Sequence, residues 1–405
     1  MDVTISNNSG QKAYFVLWGC TNLANTEELK KTARWCYYKL SSTSGDSVTA
    51  TVTEFPDPGS GADDTLDWVP NLYTLEAGGS FTIKDAPYLY SGNATFSFGA
   101  APKLFKIVHS WSNYSKKIRS PYFGGNGVQS PGFMPTDADA DTIFASCEFT
   151  FQPEGSGNAV WADTTNVDYF CVPITISVTD TDSNSVSTGN LKTGKNRKDV
   201  FSAFTGLSSD ATYSAFSKLV RTSGGSNIRI YAPGHGITSG TFSSTYFDAY
   251  IDEVWAYYDG STDAKKLTVT VEGTFAGTYV GWVNAAGAFN FEGVGSFAKP
   301  TTQETFLCAG GPFPTANNKL AAVGARLGAA INRHVLEAHN KQPYCTTDDF
   351  YLIAPNNYYS KLLHDNLSAV YGFAYDDVCT GSSSPLLHVS NPSSVAIDLA
   401  AWAAS

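Results

Sequence analysis

Short polar and apolar stretches alternate through residues 2–110, the period-two pattern of strands with one buried face. Val3-Thr4-Ile5 and Ala13-Tyr14-Phe15-Val16-Leu17-Trp18 flank an Asn-Asn-Ser-Gly turn and predict a hairpin. Further strands are expected over 48–53, 80–83, 94–98 and 104–108, separated by turn clusters such as Pro56-Asp57-Pro58-Gly59. Many short strands in series predict a sandwich or barrel. The pattern changes after the polar stretch 180–198. Helices are expected over 199–207 and 213–220, and a strand over 227–231. Aromatic and β-branched alternation returns over 246–258 and 265–275. The clearest helix is 319–340, where Leu320, Val323, Leu327, Ile331 and Val335 form one apolar stripe. Asn356-Asn357 can cap a further helix over 358–370. The run Val395 to Leu399 is strand-like and is expected to rejoin the first sheet. The chain therefore reads as mainly β: a sandwich or barrel domain over 1–182, joined by 380–405, and a mixed α/β domain over 183–379.

A Gly-, Pro- and Ser-rich loop over 118–136 feeds the stretch 147–172, which carries the most informative chemistry. Alternation places Glu148, Thr150 and Gln152 on one face of a strand and Phe149 and Phe151 on the other. An acid, a hydroxyl and an amide in a row suit a sugar. Pro153, Gly155, Gly157 and Asn158 mark a turn. Beyond it Trp161 and Thr165 share a parity, and Asp168 joins them through a small irregularity. Glycosidic hydrolysis needs one protonated carboxyl and one carboxylate across the scissile bond, and Glu148 and Asp168 are of the right type. Asp163 and Glu154 are competing acids in the same stretch, and two solvated surface acids are the plainer alternative.

Composition narrows the partners. Aromatics make up 14% of the chain and charged residues only 16%, a profile that fits a β-rich, secreted, sugar-handling protein. The net charge of −11 argues against nucleic acid and anionic membranes. No window approaches 18 apolar residues, so no membrane helix is expected. No signal peptide is visible at Met1-Asp2-Val3, and the initiating Met is read as replacing a removed leader, although a cytoplasmic protein would look the same. Seven cysteines form no CxxC. Local bridges are expected between Cys20 and Cys36 and between Cys345 and Cys379, and Cys147 with Cys171 could pin the two arms of the central stretch, against the alternative of buried thiols.

Other motifs fail on spacing. Asp137-Ala-Asp139-Ala-Asp141, with Glu148 at the twelfth position, imitates a calcium loop but has Thr142 where glycine is required. His334 and His339 stand five apart, which puts them about 140° apart round a helix. No metal or organic cofactor is expected. There is no GxSxG elbow, P-loop or GxGxxG. Asp252-Glu253-Val254-Trp255, Tyr359 and Tyr375-Asp376-Asp377 could line a sugar groove, although each alone is more often structural.

The order and spacing of Cys147-Glu148-Phe149-Thr150, Trp161 and Thr165-Asn166-Val167-Asp168-Tyr169-Phe170 resemble glycoside hydrolase family 64, β-1,3-glucanases with a thaumatin-like domain. The Val3 to Trp18 hairpin, Ser217-Lys218-Leu219, Ala249 to Trp255 and Phe373 to Val378 extend the resemblance over most of the chain. It implies a thaumatin-like β-domain beside a mixed α/β domain, with a wide groove between them for β-1,3-glucan. It also implies an endo-acting, inverting reaction that releases short oligosaccharides, with Glu148 as acid and Asp168 as base. Thr150, Trp161 and Thr165 would bind glucan, and Gln152 falls near a sugar-binding amide position. The segment 152–159 is longer than usual for the family. Asp252, Tyr359 and Asp376 complete the expected groove, in a secreted monomer. The thaumatin-like resemblance alone also allows a non-catalytic glucan-binding or antifungal protein.

Overall fold

Thirteen strands join into a single sheet in the computed structural model, which describes residues 1–22, 32–44, 46–55, 65–68, 73–101, 105–108, 111–113, 118–119, 127–129, 131–314, 318–379 and 385–402. From one end the order is Ser185–Thr188, Ile174–Asp180, Pro392–Leu399, Asp2–Asn7, Ser80–Lys84, Ser47–Glu54 and Trp35–Ser44. It continues through Ala13–Cys20, Tyr90–Phe98, Ile143–Glu154 and Gly157–Asp163 to Leu387–Ser390, with Tyr73–Leu75 paired onto Ala13–Cys20. The two end strands are drawn together, since Thr188 Oγ1 donates to Pro385 O at 2.7 Å. The sheet is thus nearly closed and barrel-like. Closure disposes of the unpaired edges that an open sheet would present.

Alternation explains which way each strand faces. Val3, Ile5 and Asn7 point inward from the first strand. The buried Asn7 amide is satisfied by donating to the carbonyls of Gln11 and Leu75 at 2.7 and 2.9 Å. The C-terminal strand runs parallel to Asp2–Asn7 and antiparallel to Ile174–Asp180, so it does rejoin the first sheet, beginning at Pro392. The interior packs Val3, Ile5, Phe15, Phe96, Phe149 and Ile397 into one apolar cluster. A second cluster, including Phe201, Phe204, Tyr250, Val254, Leu327 and Ile331, is built from the residues between Phe170 and Val370.

Several sequence expectations change in this second part. Residues 248–257 form a helix, not a strand. Tyr250, Ile251, Val254 and Trp255 are the buried positions, a helical stripe hidden by β-favouring side chains. Only Ser214–Ser217 of the expected 213–220 helix is helical, and Val220–Ser223 is a strand. The long helix spans Lys319–Arg333 and stops where His334 takes a left-handed φ of 53°. Its N-cap is Asn318, as Asn357 is for Tyr358–Asn366. The strand expected over 104–108 is Phe105–Val108, and the turn cluster at 56–59 lies outside the described residues.

Cys345 and Cys379 form a disulfide, whereas Cys20, Cys36, Cys147, Cys171 and Cys308 are buried thiols. Cys36 pairs with Gly19 and not with Cys20, so those two thiols are offset by one residue. Cys147 points into the barrel interior, while the Cys171 thiol donates to Ile228 O at 3.1 Å. No helix among the described residues is long and apolar enough to cross a membrane.

Candidate active site

The strand Ile143–Glu154 lies between Tyr90–Phe98 and Gly157–Asp163. Cys147, Phe149 and Phe151 point into the barrel, and Glu148, Thr150 and Gln152 point out, as the alternation predicts. Register then sets the outward side chains in rows, because directly paired residues share a face. Trp18, Asn93, Glu148 and Asp163 form one row across four strands. Thr150, Trp161 and His388 form the next, and Gln152, Ala159 and Ser390 the third.

A cleft of about 230 Å³ opens over the first row, lined by Trp18, Asn93, Phe133, Glu148, Thr165 and Asp168 among others. The sequence-predicted acids Glu148 and Asp168 therefore meet in one cavity although they come from different backbone segments. Asp168 sits on a bend after the strand Gly157–Asp163. Three contacts fix that bend: Asn166 N donates to Tyr371 O at 3.0 Å, Ala232 N to Asp168 O at 2.9 Å, and Tyr359 Oη to Asn166 O at 2.7 Å. The Asp168 side chain is 58% exposed, and its Oδ1 lies 2.7 Å from His235 Nε2.

The two acids differ in their surroundings. Burial in the cleft wall pushes the Glu148 carboxyl above its ordinary value. Directly across the strand pair, Asp163 is pushed up to about 8, first by burial and then by the charge of Glu148. Two facing carboxyls of this kind titrate as a pair. Asp163 does not line the cavity, so of the two only Glu148 offers a proton to something bound there.

The remaining expected residues fall into two groups. Thr150 Oγ1 accepts from Gly92 N at 3.3 Å, and Thr165 Oγ1 from Val167 N at 3.4 Å. Gln152 Oε1 is buried with no hydrogen-bond partner. Trp161 stacks on His388 with ring centroids 3.9 Å apart, and His388 Nε2 pairs with Glu154 Oε2 at 2.7 Å. Glu154, one of the competing acids, thus braces an aromatic pair.

Three expected groove residues lie elsewhere. Tyr359 is fully buried and acts on the cleft only from behind, through Asn166. Asp252 is on the outer surface, paired with Lys299. Asp376 is 1% exposed, and its carboxylate is occupied by Arg333, His364, Ser360 and Gly372 N. Burial alone would raise Asp376, but those partners hold it below the usual carboxylate range. A sugar hydroxyl has no access to it.

The false calcium loop has a structural use. Asp137 accepts from Met134 N, Asp139 from Thr142 Oγ1, and Asp141 pairs with Arg221. The buried Arg229 guanidinium donates to carbonyls 139, 140 and 142 and lies over the rings of Phe144 and Tyr169. His334 stacks on Tyr250 and His339 on Tyr344, so neither is aimed at a shared ligand. No group of three or more metal-ligating side chains is assembled among the described residues. Sequence reasoning missed His235, since Pro233-Gly234-His235-Gly236 carries no periodicity that points to a cleft. It also missed His388, although that residue stands in an alternating run.

The profile of glycoside hydrolase family 64, described as Beta-1,3-glucanase, matches residues 1–399. The chain belongs to that family. It is 29% identical over 310 residues to a glucan endo-1,3-beta-glucosidase of Arthrobacter sp. (strain YCWD3), a match covering 74% of this chain. A protein of the same description from Cellulosimicrobium cellulans is 28% identical over 305 residues, again 74% of this chain. The chain spans about half the length of these curated relatives, 52% of each. Among solved structures, a laminaripentaose-producing beta-1,3-glucanase in complex with laminaritetraose matches with a TM-score of 0.78. That match has 24% identity and covers 100% of this chain and 99% of the other. A beta-1,3-glucanase domain from Clostridium beijerinckii gives 0.70 at 24% identity, over 99% and 98%. At that identity the likeness shows the fold.

Proposed function

We propose that the chain is an endo-acting β-1,3-glucanase that cleaves laminarin- or curdlan-type glucan to short oligosaccharides with inversion. One observation carries the reading. Two carboxyls from separate segments meet in one cleft, both reaching solvent, one pushed towards its protonated form by desolvation in the cleft wall and the other held beside an imidazole. Glu148 gives its proton to the glycosidic oxygen as the bond to the anomeric carbon breaks. Asp168 takes a proton from a water attacking that carbon from the opposite face, so the product leaves as the α-anomer. Neither step calls on a metal or an organic cofactor.

The remaining parts of the reading extend this centre. Thr150 and Trp161, one row along the same sheet face, and Thr165 beside the cleft bind successive sugars by hydroxyl contacts and ring stacking. Gln152, with a buried unpaired amide oxygen, accepts from a sugar hydroxyl. The barrel, expected over 1–182 and 380–405 but extended by its end strand Ser185–Thr188, is the thaumatin-like domain, the segment from there to 379 is the mixed α/β domain, and a wide groove between them holds the polymer. The two separate apolar clusters support this division. We further infer a secreted monomer.

Incubation with laminarin or curdlan, followed by sizing of the products, tests the reading. New reducing ends are expected, with α-anomers first in proton NMR. Glu148→Gln and Asp168→Asn are each expected to abolish hydrolysis while leaving glucan binding largely intact. Binding without any new reducing ends would instead establish a non-catalytic glucan-binding protein.

A further inference from the structure

Among the described residues, His235 is the side chain hydrogen-bonded to the Asp168 carboxylate. It occupies the short helix Pro233–Thr238, which starts with Pro at its first position. A proline there costs no hydrogen bond, since the N–H it lacks would have no intrahelical partner. The residues on either side of the histidine must be small. A Cβ on Gly234 would lie 2.6 Å from Leu307 Cγ and Cδ2, and one on Gly236 would lie 2.3 Å from Leu219 Cδ2. The helix is therefore pressed against the second apolar cluster, and the histidine between the glycines projects the other way. Phe133 meets the imidazole edge-on with ring centroids 5.0 Å apart. Ala232 N, at the head of the helix, also donates to Asp168 O at 2.9 Å. Backbone and side chain of Asp168 are thus both tied to one rigid element, and the imidazole is 21% exposed against 58% for the carboxylate.

We propose that His235 is a positioning residue for the base. Its Nε2–H holds Asp168 Oδ1 and leaves Oδ2 to take the proton from the attacking water. The inference rests on the assignment of Asp168 as base. An exposed carboxylate on a bend samples several rotamers, and a fixed donor on one oxygen selects the one aimed into the cleft before substrate arrives. The ordering cost is borne by the folded helix, not by the Michaelis complex. Among the described residues, the other ionisable groups around Asp168 are Glu148 across the cleft, Tyr169 beside it, Tyr359 behind it and the Cys171 thiol in the cleft wall. None of these donates to its carboxylate.

The test compares wild type, His235→Ala, His235→Gln and Asp168→Asn on laminarin, with kcat and KM for each. Asp168→Asn must be inactive; if it is active, the base assignment fails and this proposal with it. Given an inactive Asp168→Asn, His235→Ala is expected to lose roughly 10- to 100-fold in kcat. KM should stay within about twofold. His235→Gln keeps a donor and is expected to recover most of kcat. A stably folded Gln variant as impaired as the Ala variant would overturn the proposal, as would an Ala variant with unchanged kcat or one whose loss falls on KM. Melting curves report folding separately. If His235→Ala does not fold, the Gln variant alone decides, by retaining or losing most of the wild-type kcat.

Discussion

Asp163→Asn is expected to stabilise the protein, increasingly as pH rises above about 4. In the folded chain Asp163 keeps its proton to about 8, against an ordinary value of 3.8, because it is partly buried and faces Glu148. The unfolded chain releases that proton near the ordinary value. Between the two values the unfolded state binds fewer protons than the folded state, so this group's contribution to stability falls as pH rises, then levels off above about 8. Each unit is worth about 1.4 kcal/mol, which sets a ceiling of about 4 kcal/mol at pH 7. Water in the neighbouring cleft screens part of that, leaving about 1–3 kcal/mol to be recovered when Asn replaces the carboxyl. The amide has the same shape as the acid it replaces and never ionises. Urea denaturation of both proteins at pH 3.5, 5.5 and 7.5 checks the expectation. The curves should coincide at pH 3.5 and separate progressively, with the variant more stable. A difference that does not vary with pH, or a variant less stable at pH 7.5, would refute the argument that the carboxyl is held neutral by its site.

Asp376→Asn should show the opposite dependence. Its depressed folded value means that its stabilisation is present above the unfolded value and lost as pH falls through the folded one. At pH 7 the loss should be about 3–5 kcal/mol, since Arg333 is left buried without its counter-charge, and the gap in denaturation midpoint should close in acid. Trp161→Ala removes one ring contact worth about 1–2 kcal/mol and should raise KM for laminarin roughly 5- to 30-fold with little change in kcat. His388→Ala, which only takes the stacked partner from behind that ring, should have a smaller effect on KM. Cys345→Ser opens a loop of 34 residues and should cost about 3–4 kcal/mol by loop-closure entropy, read from denaturation in the presence and absence of reductant.

Local pattern determined much of this protein. Alternation alone assigned Phe149 and Phe151 to the interior and Glu148, Thr150 and Gln152 to the surface, because a period of two leaves no other arrangement for a strand with one buried face. Turn chemistry marked the turn between Asp2–Asn7 and Ala13–Cys20, but the expected hairpin is not formed: the first strand pairs with Ser80–Lys84 and Pro392–Leu399, and the second with Trp35–Ser44 and Tyr90–Phe98. Asn357 marked the start of the helix that it caps. Where side-chain preference and periodicity disagreed, as over Tyr250 to Trp255, preference misled and the helical stripe prevailed through packing. The rows of the site could not be read in the same way. Register places Asp163 opposite Glu148 and His388 opposite Trp161, and register is a property of paired strands, not of one strand. His235 comes 67 residues after the carboxylate that it holds, on a helix positioned by contacts with Leu219 and Leu307. Asp376 carried the right chemistry for a sugar, but only the fold could show that Arg333, His364 and Ser360 had already taken its oxygens. The sequence determined which faces were polar and which acids were available; the tertiary structure decided which of those acids meet in one cleft, since the bend that carries Asp168 is fixed by Ala232, Tyr359 and Tyr371, whose separation from it along the chain carries no periodic signal.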